Sequence, residues 1–161
     1  MPDYFPRYRT VNRGLSEQRL AGYLLRFRPD VIDLKPRAVV IEFSSYNFRP
    51  ENTLAENKDY LVSLAELARA NGIEPILTTV LPVRNELYYE GYSVQDSLVV
   101  FNRWLTAFCR DHDYRLVDFN TIVADADGFL RAELSTGHIE LNHRGYDAIS
   151  EATRTTLPSP D

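Results

Sequence analysis

Ser135-Thr136-Gly137-His138-Ile139-Glu140-Leu141-Asn142-His143-Arg144-Gly145-Tyr146 is the stretch on which the reading of this chain turns. It leads into a last helical run over residues 143–156. It also carries two of the three histidines, and imidazole is the side chain suited to moving protons near neutral pH.

Upstream, short β-rich runs alternate with longer helical ones. Tyr8-Arg9-Thr10-Val11 predicts a brief strand. Ala38-Val39-Val40-Ile41-Glu42-Phe43 is a near-continuous apolar run of the kind buried on both faces of a parallel sheet. Pro75–Leu81 is a third strand, stopped by Pro82, and Arg115–Phe119 a fourth. Between them, residues 16–28 predict a helix that stops near Pro29. Residues 52–71 predict one ending at Asn71-Gly72, and residues 94–112 another. Strands alternating with helices imply βαβ units with right-handed crossovers and a parallel sheet.

Length and composition narrow the function. A chain of 161 residues makes one domain with one core, here residues 1–156, followed by a Pro-rich tail at 157–161. Hydrophobic content of 44% and aromatic content of 12% argue for a globular fold. A net charge of −5 offers no basic footprint, so no nucleic-acid partner is expected. The one cysteine, Cys109, excludes an internal disulfide and reads as a small buried apolar residue. No apolar stretch is long enough for a membrane span, and Met1–Arg7 has no signal-peptide character, so the expectation is a cytoplasmic protein. Nucleotide-loop and zinc spacings are absent, and neither cofactor nor metal is expected.

The quoted stretch, together with Val11-Asn12-Arg13-Gly14-Leu15-Ser16-Glu17-Gln18, resembles the SGNH (GDSL-type) esterase and acylhydrolase family. Leu25–Ile41, and Ala65–Ile73 with Thr79–Val83, look like that family's intervening helices and strands. The resemblance implies an α/β fold, a flavodoxin-like three-layer sandwich around a parallel sheet. It further implies ester hydrolysis by a serine, a histidine oriented by aspartate, and an oxyanion hole of preplaced donors.

The same register takes the chemistry away. Leu141-Asn142-His143-Arg144-Gly145-Tyr146 puts Gly137 at the family's aspartate position and Glu140 at its histidine position. The family's Ser-Gly becomes Ser16-Glu17, which places a carboxylate where bare backbone meets substrate. Tyr46, in Ser44-Ser45-Tyr46-Asn47, falls on the oxyanion asparagine; a shift that keeps Asn47 in that role ranks second. No Gly-Asp-Ser occurs anywhere. A carboxylate is a poor base for a serine hydroxyl, and negative charge from Glu17 and Glu140 opposes an oxyanion.

Other residues keep alternatives open. His138, two residues from the family's histidine position, is a residual base candidate; its plainer reading is an exposed loop residue. Ser44 and Ser45 follow a central strand, where turn or capping duty competes with nucleophilic duty. Glu17, Glu140 and Glu42 are candidates for a repurposed acidic pocket. Tyr88-Tyr89-Glu90-Gly91-Tyr92 reads as a substrate-contacting or protein-contacting loop.

The resemblance also implies that the family's first strand is missing. The expected result is a four-stranded sheet, with Tyr8–Val11 beside Ala38–Phe43 and a homodimer or protein partner over the bare face. The leading expectation is a non-catalytic domain acting in binding or assembly. The alternative is an ester or carbohydrate O-acyl hydrolase with a rearranged or externally completed site.

Overall fold

The computed structural model describes residues 4–84 and 88–160, with only the backbone of Tyr88 and Tyr89. The first three residues, used above to judge signal character, lie outside it, as do the side chains of Tyr88 and Tyr89. In chain order the elements are α1 (Leu20–Asp30), β1 (Ala38–Ile41), α2 (Leu54–Ala70) and β2 (Glu74–Thr78). A small hairpin follows, β3 (Tyr88–Tyr89) and β4 (Tyr92–Ser93). Then come α3 (Val94–Asp111), β5 (Arg115–Val117), α4 (Phe119–Val123) and α5 (His143–Thr156).

Three strands form a parallel sheet in the order β1-β2-β5, with Val40 beside Ile76 and Leu77 beside Leu116. Both crossovers, through α2 and α3, fall on one face. That is the consequence of right-handed connections all running the same way. On this face Leu20 and Phe27 of α1, Leu61 and Leu64 of α2, and Leu98, Phe101 and Leu105 of α3 close over Ile41 and Leu77. On the other face Val123 of α4 and Ile149 of α5 pack with Ile76 and Val117. Ile76 and Leu77 point into opposite layers, as the period of a strand requires. Each fully buried side chain of this size contributes about 1.5–3 kcal/mol.

Local signals set the helix ends. Thr53 and Glu56 form a reciprocal capping box at the start of α2, and the Ser93 hydroxyl accepts from the Asp96 N–H at the start of α3. Cys109 is buried in α3, where burial pushes its thiol up to about 12.

Two expectations are corrected. Tyr8–Val11 is not a strand, and the main sheet among the described residues has three strands, not four. Residues 4–19 are irregular, and Val11 is 60% exposed. The Tyr8 N–H is used in a turn to the Phe5 carbonyl at 2.9 Å. The arm is tied instead to α5: Arg154 donates to the Tyr4 carbonyl at 2.7 Å, and the Tyr4 ring lies 6.0 Å from Tyr146. β-propensity without a partner edge does not make a strand. Helix α1 also runs through Pro29 to Asp30. Proline there removes only the bond to the carbonyl of Leu25, a residue 90% exposed, while the Val31 N–H closes the last turn on Phe27.

Candidate functional site

In a parallel sheet the loops leaving the carboxyl ends of the strands gather at one edge, the place where open α/β folds bind ligands. Here that edge collects the loop after β1, the loop after β2, the start of α4 and the loop before α5.

The loop after β1 is held from below by aromatic packing. Phe43 and Phe48 are buried beneath Phe101, with ring centroids 5.6 Å and 5.1 Å from it in edge-to-face contact. Between them, the Ser44 side chain accepts from the Tyr46 N–H at 3.3 Å, so it caps the short turn Ser45–Asn47. Ser45 is buried. Asn47 is buried and bonded at both ends of its amide: its Oδ1 accepts from the Leu20 N–H at 2.9 Å, and its Nδ2 donates to the Ser44 carbonyl at 3.1 Å. It therefore ties the start of α1 to this loop.

The loop after β2 is fixed by a buried polar network. Asn102 of α3 brackets Val80, accepting from its N–H at 2.8 Å and donating to its carbonyl at 3.0 Å. Thr79 donates to Asp118 at 2.8 Å, and its hydroxyl accepts from the Asn120 N–H. Further on, the Arg84 N–H donates to the His138 carbonyl at 2.7 Å, which clamps the loop before α5 to this segment.

In that last loop the Asn142 side chain caps α5, accepting from the Gly145 N–H at 3.1 Å. A short antiparallel bridge joins Ser135 to Leu141. It folds Glu140 back over Gly137, so that a Cβ on Gly137 would lie 2.6 Å from Glu140 Oε2. Both His138 and Glu140 are exposed.

Glu17 reaches the same edge from the arm before α1. The Tyr46 hydroxyl donates to its Oε1 at 3.5 Å, and Arg49 stacks over the Tyr46 ring at 4.9 Å. Glu17 has φ of 60°, the left-handed region that favours glycine. Its side-chain type gives no hint of this.

Glu42, just past β1, is open to solvent by area but crowded on its remaining sides by protein. That crowding raises its carboxyl pKa, an effect tempered by its access to water. Its charge is felt by two tyrosines in different layers. Tyr23 of α1 is raised by burial first and Glu42 second; Tyr146 of α5 is raised by burial, then by Glu42, Tyr4 and Glu140. The edge therefore brings Glu42, Glu140 and Tyr146 together, with Glu17 and Tyr46 paired on the arm side. Among the described residues no cation forms an ion pair with these three carboxylates.

A three-layer α/β domain with its loops gathered at the carboxyl ends of the strands is thus the class that fold and site define. The chain belongs to the GDSL-like lipase/acylhydrolase family, whose family model matches residues 1–148. It is similar in structure to a G-D-S-L family protein from Desulfitobacterium hafniense DCB-2. That match has TM-score 0.79 and 28% identity, covering 91% of this chain and 80% of the other. A GDSL-like lipase from Bacteroides thetaiotaomicron VPI-5482 matches with TM-score 0.79 and 26% identity, covering 89% and 72%. In sequence, the uncharacterized lipoprotein YqeF of Bacillus subtilis (strain 168) is 30% identical over 90 residues. That is 49% of this chain and 37% of the lipoprotein's length. Among the described residues no helix is long and apolar enough to cross a membrane.

Proposed function

We propose that this GDSL-hydrolase-like domain is non-catalytic and acts by binding or assembly. The reading rests on Glu140: its carboxylate occupies the space above Gly137, where the family resemblance calls for an aspartate orienting a histidine. A carboxylate in that place neither accepts a serine proton well near neutral pH nor supports a developing oxyanion. Two further features support it. Asn47 is buried, with its oxygen anchoring α1 and one N–H of its amide turned back to the Ser44 carbonyl, which disfavours it as an oxyanion donor. Glu17 puts a side chain on backbone of glycine-like conformation, where a substrate would need close approach.

Two measurements on the purified chain test the reading, p-nitrophenyl acetate hydrolysis and labelling by a serine-directed fluorophosphonate. The expected result is neither turnover above buffer nor labelling. Labelling or sustained turnover overturns it in favour of an ester hydrolase with a rearranged site, and loss of that activity in His138→Ala would then identify the base.

A further inference from the structure

Helix α2 ends at the one Asn-Gly pair in the chain, Asn71-Gly72. An asparagine amide is open to attack by the backbone nitrogen of the next residue. Glycine there leaves the approach unblocked, because it carries no Cβ. Both residues are exposed, and a Cβ built on Gly72 would meet nothing within 4 Å. Sequence and exposure together favour the reaction.

The helix cap restrains it. The Gly72 N–H donates to the Arg69 carbonyl and the Ile73 N–H to the Ala68 carbonyl, both at 3.0 Å. With Gly72 at φ of 71°, these bonds make a Schellman motif, and the buried Ile73 pins it to the core. The Asn71 Nδ2 donates to the Leu67 carbonyl at 2.8 Å, which draws the amide back along α2. The attacking nitrogen and the leaving nitrogen are thus each held in a hydrogen bond.

We propose that Asn71 is a site of spontaneous deamidation, gated by opening of this cap. When the last turn of α2 opens, the Gly72 nitrogen gives its proton to solvent and bonds to Asn71 Cγ. The Nδ2 nitrogen leaves as ammonia, which closes a succinimide ring. Water then adds to either ring carbonyl, and the C–N bond that breaks decides between aspartate and isoaspartate. One amide and one water become one carboxylate and one ammonium ion, so the chain gains a negative charge. The product closes the cap less well. A carboxylate cannot donate to the Leu67 carbonyl, and it stands at the negative end of the α2 dipole. Lys35 lines the same recess of about 280 Å³ as Asn71 and offsets part of that charge. Isoaspartate also adds a backbone carbon to the turn that leads Ile73 into β2. The inference stands whether or not the domain hydrolyses esters.

The test incubates the purified chain in mildly alkaline buffer, folded and in guanidinium chloride, and follows it by tryptic mass mapping, isoaspartate assay and ion exchange. In the folded chain the tryptic peptide of residues 70–84 slowly gains the mass of an amide-to-acid exchange. Isoaspartate appears in that peptide, and a more acidic species elutes. Guanidinium chloride removes the cap and raises the rate at Asn71 by about tenfold or more. Asn71→Gln suppresses the acidic species, because attack on the longer side chain needs a six-membered ring. If Asn71→Gln proves unfolded by circular dichroism, the mass map of the wild-type chain decides. The proposal is overturned by equal rates in the folded and denatured chain, or by no change at Asn71 in the folded chain after weeks. Faster loss of another asparagine amide in the folded protein overturns it too.

Discussion

Glu140 and Gly137 are matched to each other: the carboxylate of one rests where the side chain of the other would begin, 2.6 Å from an ideal Cβ. Gly145, on the same stretch, is closed by harder matter, since a Cβ there would meet the Leu134 carbonyl oxygen at 2.6 Å and Leu141 Cδ2 at 2.9 Å. The two glycines should therefore respond differently to alanine. In Gly137→Ala the flexible end of Glu140 swings into solvent, and stability changes by no more than about 0.5 kcal/mol. In Gly145→Ala a backbone carbonyl must yield, which costs about 1–3 kcal/mol. Urea denaturation of the two variants checks the difference, and equal losses would contradict it.

Glu17 holds a left-handed backbone at φ 60° with a side chain poorly suited to it. Its compensating contact, the Tyr46 hydroxyl at 3.5 Å, is long and exposed. Glu17→Gly should relieve the strain and stabilise the chain by about 1 kcal/mol. The gain is reduced by the larger entropy of glycine in the unfolded chain. A fall in the melting temperature would show that the Tyr46 contact outweighs the backbone cost.

Asn47 joins two elements far apart in sequence, bonding the Leu20 N–H with one end of its amide and the Ser44 carbonyl with the other. Asn47→Ala leaves both groups without that partner in a buried setting and should cost about 2–4 kcal/mol. Asn47→Asp keeps the acceptor for Leu20 but loses the donor to Ser44. It should fall between alanine and wild type at neutral pH, as read by chemical denaturation.

Most of the fold was legible because it rests on local pattern. The apolar run at Ala38–Ile41 announces a strand, although as the sheet's outer strand it is fully buried only at Ile41 and leaves Val40 37% exposed, and α5 occupies the residues its pattern predicts, 143–156. Tyr8–Val11 misled because strand formation needs a partner edge, and Tyr8 finds a turn instead. The five-residue α4 and the two-residue strands β3 and β4 are too short to show a period. At the site, the resemblance picked out Gly137 and Glu140, while their contact depends on the Ser135–Leu141 bridge. The anchoring role of Asn47 stayed hidden because its partner lies 27 residues away. The left-handed backbone of Glu17 is signalled only by the family's glycine at that position, since its own residue type argues against it.

Glu42 gives the site a pH signature whose sign follows from its environment. Crowding by protein raises its pKa, so the folded chain holds this proton at a pH where the unfolded chain has released it. The associated stability is fully present below the ordinary carboxylate value and is lost as pH rises through the raised one. Glu42→Gln cannot ionise and removes that loss. It should match wild type in mildly acidic buffer and exceed it at neutral pH. Because Glu42 is open to water by area, the excess stays within about 1 kcal/mol. Tyr23 and Tyr146, which face the carboxylate, stay protonated through this range, so the difference between the two proteins belongs to Glu42. Urea midpoints measured across the acidic to neutral range decide it. A Glu42→Gln chain less stable than wild type at neutral pH would mean that the ionised carboxylate is held by favourable contacts.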